Sequence, residues 1–294
     1  MIGHWCNDED LRMRIVTWNI QWGRGADGVV DLARTRDTLA ELGPLDVICL
    51  QEVADRFDGL PGGAGEAEVE WFETAFPEWE TLYAPGLDVR RPDGGRSRFG
   101  NLILSRWPIR QAFRHLLPCP GDGRVPSMQR SCAEAIVELP AGPLRILTTH
   151  LEYYSRPQRI AQIEALRQLQ AEAASQAIDP PRHERESVFA ARAKPASAIL
   201  CGDFNCEPQS AEHVRLGAPI DGLVPEWADA WSLVYPSTPH ASTVGLHGAE
   251  WPDRQYCCDF FFVSGDLVDR LRSVRVEAAT AASDHQPVIM EIEV

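Results

Sequence analysis

Short apolar runs separated by turn-forming residues dominate the chain and predict mostly β structure. Ten runs are rich in β-branched and aromatic residues between Gly, Pro, Asn and Asp clusters, which is typical of strands. They cover residues 14–20, 46–53, 80–85, 101–106, 132–139, 144–151, 197–204, 257–264, 271–277 and 287–294.

Three stretches between these runs carry the apolar spacing of amphipathic helices. Residues 31–42 repeat Leu, and residues 66–76 place three large apolar side chains on one face. Residues 157–174 repeat Ile and Leu at helical spacing and begin with a Pro that suits a first helical turn. Strands mixed with few helices predict sheets that pack on each other and are covered by helices.

Two polar stretches are predicted to be loops. Residues 177–195 contain several prolines and charges, and we expect them to be mobile. Residues 86–100 concentrate positive charge and lead into the apolar run that follows. Their arginines are Arg90, Arg91, Arg96 and Arg98.

Composition limits the classes of function. The chain has 294 residues with 44% hydrophobic content, enough for a large core. Its formal net charge is −15, which disfavours an extended grip on duplex DNA but leaves room for a phosphate substrate held through a cation. No apolar run reaches the ~18 residues of a membrane span, and the N-terminus lacks a secretory pattern. The eight cysteines show no repeated C-x-x-C, so we expect free thiols and a cytoplasmic protein without membrane contact.

Polar residues suited to catalysis stand at the ends of six predicted strands. In "ILCGDFNCEP", Asp203 and Asn205 are two residues apart, so both side chains can face one pocket, and Gly202 permits close approach. Such a pair can orient water and donate to a developing oxyanion, although a simple turn is an alternative explanation. The other strand ends carry Asn19, Gln51 with Glu52, His150, Asp259, and Asp284 with His285. Each has an ordinary structural explanation alone, but six together indicate one site.

The motifs resemble the endonuclease/exonuclease/phosphatase superfamily, which includes DNase I, the AP endonucleases and the neutral sphingomyelinases. The resemblance rests on "TWNI" at 17–20, "LQEV" at 50–53, "GNLILSRWPI" at 100–109, "TTHL" at 148–151, "GDFN" at 202–205, "CDFFFVS" at 258–264 and "SDH" at 283–285. It implies an α+β fold of DNase I type, a four-layer α/β/β/α sandwich whose two stacked mixed sheets are flanked by helices. It also implies a single domain over residues 1–294, with a core from about 12 to 294.

The resemblance assigns a metal set and a catalytic set. Glu52 resembles the principal ligand of Mg²⁺ or Mn²⁺, with Asn19 and Asp284 beside it; such a sparse set suits an ion that keeps several waters. The catalytic set is His150, Asp203, Asn205, Asp259 and His285.

Within the catalytic set, Asp203 resembles the residue that positions or deprotonates the attacking water, and Asn205 a donor to phosphoryl oxygens. His285 resembles the histidine on the scissile phosphate, oriented by Asp259, which we expect to contact His285 alone. His150 stands in a "THL" motif like that of DNase I and the sphingomyelinases, where AP endonucleases use tyrosine. We expect both imidazoles to reach one phosphate-sized site.

Five residues are candidates for contact with the substrate. The candidates are Arg96, Arg98, Asn101, Arg130 and Tyr153. The arginines before "FGNLILSR" either grip a second phosphate or form a solvated loop paired with Asp88 and Asp93. Arg130 either contacts substrate or forms a structural salt bridge. The stretch "YCCDFF" departs from the R-I-D-Y that often precedes the family's orienting acid, which indicates altered packing.

The sequence thus predicts a divalent-metal-dependent phosphoester hydrolase, a phosphodiesterase or nuclease that acts on a nucleic acid or nucleotide. The choice between endonuclease and exonuclease stays open, and no protein partner is predicted. One alternative is an esterase for a lipid, inositol or sugar phosphate, like a sphingomyelinase. The other is a catalytically silent binding module of the same fold.

Overall fold

Two six-stranded sheets stacked on each other form the centre of the protein. The computed structural model describes residues 12–182, 190, 192–220, 222–250 and 252–294. The strands are β1 (Arg12–Asn19), β2 (Val47–Asp55), β3 (Glu80–Arg90), β4 (Arg96–Ser105), β5 (Ile109–Leu116), β6 (Ser131–Leu139), β7 (Gly142–His150), β8 (Ala198–Asp203), β9 (Trp227–Asp229), β10 (Asp259–Ser264), β11 (Leu271–Val276) and β12 (Val288–Glu293). The helices are α1 (Leu32–Glu41), α2 (Glu68–Ala75), α3 (Arg156–Ile178), α4 (Ala211–Leu216) and α5 (Ala230–Val234).

Both sheets are mixed, and each contains one parallel pair near its centre. The first sheet has the order β11-β12-β1-β2-β4-β3, and the second has the order β5-β6-β7-β8-β10-β9. Strands β1 and β2 run parallel in the first sheet, and β7 and β8 run parallel in the second. The strands β12 and β10 run antiparallel to β1 and β8, respectively. This arrangement brings the ends of β1, β2, β7 and β8 and the starts of β10 and β12 to one edge of the stack.

Apolar side chains fill three layers. Between the sheets, Ile15, Ile103, Ile146 and Phe261 belong to one buried cluster. The outer face of the first sheet packs against α1 and α2, through side chains such as Leu39 and Phe72. The outer face of the second sheet packs against α3, through Ile163 and Leu166 among others. The predicted four-layer α+β sandwich is therefore confirmed.

One loop prediction was wrong. Residues 86–100, predicted as a loop, continue β3 and β4 into a two-stranded hairpin in which Asp88 pairs with Arg98 and Arg90 with Arg96. Charged residues extend these strands because their side chains point into solvent, so the apolar pattern stops before the strands do. The predicted loop 177–195 includes residues 183–189 and 191, which lie outside the described residues.

Four further elements were not predicted. Strand β5 alternates exposed and half-buried residues at the edge of its sheet, and β9, α4 and α5 span at most six residues each. Such short or amphipathic segments carry little apolar periodicity. The seven described cysteines are free thiols, and none of the described helices is long and apolar enough to cross a membrane.

A buried ionic network ties the second sheet to α3, where Gln170 Oε1 accepts a hydrogen bond from Arg145 Nη1 at 2.8 Å. Glu134 Oε1 accepts a hydrogen bond from Arg145 Nε at 2.6 Å, and both side chains are 0% exposed. Its Oε2 lies 2.6 Å from His115 Nε2 and 3.3 Å from Lys194 Nζ. Burial raises the pKa of Glu134, but His115, Arg145 and Lys194 outweigh it and lower the pKa to about 2.

We expect Glu134→Gln to destabilise the protein by ~3–5 kcal/mol, because it leaves the charge of Arg145 buried without a counter-charge. A carboxylate with a lowered pKa stabilises the fold above its unfolded pKa of ~4.3, and this stability is lost as the pH falls toward 2. Urea unfolding at several pH values should therefore show that the free energy of unfolding falls less at acid pH in the variant than in the wild-type protein. The exposed Glu138→Gln on the same strand is the control, and equal stability of both variants would contradict the role of the network.

Candidate active site

The polar strand ends meet at a pocket of about 260 Å³, here called the central pocket. Its walls contain Gln21, Trp22, Glu52, Arg130, His150, Tyr153, Tyr154, Asp203, Asn205, Asp284 and His285. Because the carboxyl ends of parallel strands meet at one edge, residues distant in sequence converge there. Two of the predicted metal and catalytic residues, Asn19 and Asp259, do not line the pocket. Asn19 is hydrogen-bonded to Glu52 and Asp259 to His285, and both of these partners line it.

Glu52 reaches the pocket through an irregularity in β2. The register between β2 and β4 shifts between Leu50 and Val53, and Glu52 takes a left-handed conformation with φ 58°. A bulge of this kind re-aims a side chain, and left-handed backbone at a residue with a Cβ costs on the order of 1 kcal/mol. Asn19 Nδ2 then donates to Glu52 Oε1 at 3.1 Å.

Two carboxylates share this side of the pocket. Burial, followed by the charge of Asp284, raises the pKa of Glu52 to about 7. Burial also raises the pKa of Asp284, whose Oδ2 accepts from Gln21 Nε2 at 2.7 Å. Repulsion between buried carboxylates is relieved by a bound cation, and carboxylate and amide oxygens are the ligands that Mg²⁺ and Mn²⁺ prefer. The donor chemistry of Asn19, Glu52 and Asp284 therefore fits the predicted ion.

Asp203 lies at the centre of the site and joins the two sheets. Its Oδ2 accepts from Asn19 Nδ2 at 3.1 Å, and its Oδ1 accepts from the backbone of Asn205 at 2.9 Å. The preceding Gly202 has φ 135°, and a Cβ there would lie 1.9 Å from the carbonyl oxygen of Thr149. The glycine thus allows β8 to approach β7 closely enough to present Asp203. Burial raises the pKa of Asp203 to about 6.

Both predicted imidazoles approach the same carboxylate oxygen. Asp203 Oδ2 lies 3.4 Å from His150 Nε2 and 3.7 Å from His285 Nε2. Burial alone would lower the pKa of His285, but the charges of Asp259 and Asp203 outweigh it and raise the pKa well above the ordinary value. His285 is therefore positively charged at neutral pH.

His150 has the opposite protonation state. Burial and the positive charges of Arg130 and His285 lower its pKa well below the ordinary value. The amide nitrogen of Asn205 lies 2.9 Å from His150 Nε2 and also donates to the carbonyl oxygen of Leu151. Because the amide nitrogen is a donor, His150 Nε2 accepts and Nδ1 carries the hydrogen, toward Glu52 Oε1 at 3.8 Å.

Asp259 holds His285 together with a second partner. Its Oδ2 lies 2.9 Å from His285 Nδ1 and accepts from Thr243 Oγ1 at 2.6 Å. The expectation that Asp259 contacts His285 alone was therefore wrong. The threonine was missed because it lies in a loop distant in sequence from Asp259 and carries no pattern that marks it.

A second group of side chains is also close enough to share a cation. Ligand atoms of Asp203, Cys258, Asp259 and His285 all lie within 4.8 Å of one another. Burial raises the pKa of the Cys258 thiol well above its ordinary value, so it stays protonated and is a poor ligand. We interpret this group as a hydrogen-bonded unit around His285.

The predicted substrate-binding residues fall into two groups. Arg130 and Tyr153 line the central pocket, and Arg130 also pairs with Glu152 at 3.3 Å. Asn101 lines an adjoining cleft with Glu52 and Arg130, and donates to the backbone of Ser131 at 2.9 Å.

The predicted arginines of the hairpin do not line the central pocket. Arg96 pairs with Asp88 at 2.7 Å, and Arg98 pairs with Asp55. Their role in substrate binding stays a prediction.

Sequence reasoning missed three residues of the pocket wall, namely Gln21, Trp22 and Tyr154. Gln21 and Trp22 follow Asn19 and take left-handed conformations with φ 45° and 46°. That turn directs them toward Asp284 and the pocket. Their position just after a polar strand end was the available signal.

Comparison with known proteins identifies the family. The sequence profile of the Endonuclease/Exonuclease/phosphatase family matches residues 16–285. The chain belongs to this family. The predicted resemblance is thereby confirmed, and membership supports a phosphoesterase. No curated protein sequence matches the chain.

Solved structures share the fold at low sequence identity. A family protein from Beutenbergia cavernae is 19% identical with a TM-score of 0.65, over 96% of this chain and 72% of that chain. A family protein from Bacteroides vulgatus is 17% identical with a TM-score of 0.65, over 96% and 99% of the two chains. TDP2 from D. rerio, complexed with a single-strand DNA product, is 17% identical with a TM-score of 0.62, over 96% and 99%.

We expect Asp259→Asn to lower the pKa of His285 in metal-free protein, because it removes the nearest negative charge. NMR titration of the imidazole should show His285 protonated above neutral pH in the wild-type protein and titrating at lower pH in the variant. Asp253→Asn, in the loop before β10, is the matched control. An unchanged titration of His285 in Asp259→Asn would contradict the pairing.

Proposed function

We propose that this protein is a divalent-metal-dependent phosphodiesterase that acts on a nucleic acid or nucleotide. The observation that carries the proposal is the convergence of two imidazoles on the Asp203 carboxylate. A neutral His150 and a charged His285 both lie within 4 Å of Asp203 Oδ2, beside the carboxylates of Glu52 and Asp284. Such a set suits in-line attack of water on phosphorus, which demands positioning and compensation of negative charge.

Glu52 and Asp284 would hold Mg²⁺ or Mn²⁺, with Asn19 beside them. The ion, when bound, compensates the charge that develops on the phosphoryl oxygens. Asn19 also fixes the position of the Glu52 carboxylate through its 3.1 Å hydrogen bond. Gln21 does the same for Asp284.

Asp203 is the best-placed general base. With a pKa near 6, it is ionised at neutral pH and still accepts a proton, which is the range that favours proton transfer. Its Oδ2 faces both imidazoles, so water bound there lies next to the phosphate position. His285 Nε2, held by Asp259 through Nδ1, would donate to a phosphoryl oxygen or to the leaving oxygen. Asn205 would hold His150 through Nε2, which leaves the hydrogen on His150 Nδ1 as a further donor.

Two observations support a nucleic acid or nucleotide as substrate. Aromatic side chains of Trp22, Tyr153 and Tyr154 stand in the pocket wall beside Arg130, and bases stack on such surfaces. TDP2, which shares the fold, was solved with a single-strand DNA product. The net charge of −15 favours a short or single-stranded substrate over extended duplex, since few phosphate contacts are available.

A lipid, inositol or sugar phosphate is the competing substrate class, and a silent binding module is the competing function. Hydrolysis of bis-p-nitrophenyl phosphate with Mn²⁺ excludes the silent module. Hydrolysis assays with Mn²⁺ on DNA, RNA, nucleotides, sphingomyelin and phospho-sugars then separate the substrate classes. A cytoplasmic location and a single domain over residues 1–294 remain part of the proposal.

We expect Glu52→Gln to abolish Mg²⁺ binding in calorimetry and to reduce turnover of the small diester at least ~10³-fold, because the principal carboxylate is lost. Glu73→Gln, an exposed glutamate on α2, is the matched control and should behave as wild type. Unchanged metal affinity in Glu52→Gln would refute the ligand assignment.

We expect Tyr154→Ala to lower kcat/KM for a single-stranded oligonucleotide by ~5- to 150-fold, the range of one lost stacking contact of ~1–3 kcal/mol. Turnover of bis-p-nitrophenyl phosphate, which has no base, should change little. Leu116→Ala, an exposed apolar residue elsewhere, controls for general surface effects. Equal losses on both substrates would argue against base stacking.

A further inference from the structure

Two histidines and an aspartate form a separate cluster away from the central pocket. His213 lies on α4, Asp229 ends β9, and His240 lies in the loop after α5. Asp229 Oδ2 lies 2.8 Å from His240 Nε2 and 3.5 Å from His213 Nε2. Ligand atoms of the three side chains all lie within 4.8 Å of one another.

We infer that His213, Asp229 and His240 form a second cation site, which takes a divalent transition metal such as Zn²⁺. Ligand atoms ~2.0–2.1 Å from a tetrahedral Zn²⁺ are roughly 3.4 Å apart. Here Asp229 lies 2.8 and 3.5 Å from the two imidazole nitrogens, and all three ligand atoms lie within 4.8 Å of one another. Imidazole nitrogen suits Zn²⁺, Co²⁺ and Ni²⁺, whereas Mg²⁺ prefers oxygen. The two sites therefore differ in the metal that they select. The inference does not depend on the proposed phosphodiesterase activity.

One nitrogen of the cluster is poorly satisfied. His213 Nε2 is buried, and its contact with Asp229 Oδ2 is long, at 3.5 Å. A buried polar atom without a well-placed partner is costly, and a metal bound by this nitrogen would reduce the cost. The hydrogen between His240 Nε2 and Asp229 would leave when the ion binds.

The ligands are held in place by their surroundings. His240 stacks on Trp231 with ring centroids 5.8 Å apart, and His213 packs on Phe260 at 4.9 Å. Asp229 Oδ1 accepts from the backbone nitrogen of Trp231 at 3.1 Å, which fixes the carboxylate plane. Contacts of this kind orient metal ligands before the metal binds.

The cluster adjoins a pocket. His213 and His240 line this pocket, which has a volume of about 570 Å³. Three protein ligands leave a fourth position for water or another donor from this pocket. A bound ion would tie α4, the end of β9 and the loop after α5 together, and should raise the thermal stability.

The first experiment titrates Co²⁺ into metal-stripped full-length protein with excess Mg²⁺ present to occupy the central pocket. We expect one equivalent of Co²⁺ with visible d–d absorption, no strong thiolate charge-transfer band, and displacement by Zn²⁺. Absence of saturable binding, or a thiolate band that assigns the ion to cysteines, would overturn the inference.

Variants locate the ion. His213→Gln and His240→Gln should bind Co²⁺ at least ~100-fold more weakly, since loss of outer contacts alone costs ~10- to 100-fold. His247→Gln, a surface histidine, is the matched control and should bind as wild type. Glu52→Gln should also keep its Co²⁺ affinity. A loss of Co²⁺ affinity in this variant would place the ion in the central pocket instead.

A measurement on the wild-type protein guards against variants that fail to fold. Crystals soaked with Zn²⁺ should show an anomalous-scattering peak between His213, Asp229 and His240. Peaks confined to other positions would refute the site, whatever the variants do. Failure of this test leaves the phosphodiesterase proposal untouched, because Glu52→Gln and the diester assay examine a different pocket.

Discussion

The hydrogen bond from Asn19 to Asp203 is the contact on which the site depends, because it joins the two sheets at their polar edge. Asn19 ends β1 of the first sheet, and Asp203 ends β8 of the second; their side chains meet at 3.1 Å. Elsewhere between the sheets the contact is largely apolar and permits small shifts. At this edge a directional hydrogen bond sets the distance between Glu52 on the first sheet and His150 on the second. A second bridge, from Gln51 Nε2 to Thr148 Oγ1 at 2.8 Å, reinforces the same alignment.

Electrostatics of the site follow from that alignment. Glu52, Asp284, Asp203 and Asp259 bring four carboxyl groups into a small volume, where charged forms are poorly solvated. The described residues compensate them with the charges of His285 and Arg130, and Glu52 keeps a pKa near 7. Burial and the charge of Asp284 therefore leave Glu52 short of positive charge, whereas Asp203 Oδ2 has His285 Nε2 at 3.7 Å. A divalent cation beside Glu52 would supply the positive charge that the surrounding side chains do not.

Much of the fold and site could be predicted because both depend on apolar strands that stop at polar residues. The strands that carry Asn19, Glu52, His150 and Asp203 at or near their ends are buried almost throughout, so the apolar pattern follows these strands closely. Prediction failed where side chains face solvent, as in β5 and the β3–β4 hairpin, since solvent imposes no apolar pattern.

Side-chain direction was harder to predict than position. Gln21 and Trp22 reach the pocket through left-handed backbone, and Thr243 reaches Asp259 from a separate loop. Neither feature follows from hydrophobic periodicity. The hairpin arginines illustrate the same limit: their charge is visible in the sequence, but their pairing with Asp88 and Asp55 depends on strand register.

The unusual flank of Asp259 is held in place by a threonine hydroxyl. Thr243 Oγ1 donates to Asp259 Oδ2 and accepts from the backbone nitrogen of Cys258 at 3.1 Å, so one hydroxyl fixes both the carboxylate and the start of β10. Asp259 Oδ1 is buried and has no hydrogen-bond partner among the described residues. The negative charges of Asp259 and Asp203 raise the pKa of His285 well above its ordinary value, and Asp259 Oδ2 lies 2.9 Å from His285 Nδ1. Cys257 and Cys258 are both buried beside this unit, and the Cys258 thiol lies 3.5 Å from Asp259 Oδ2.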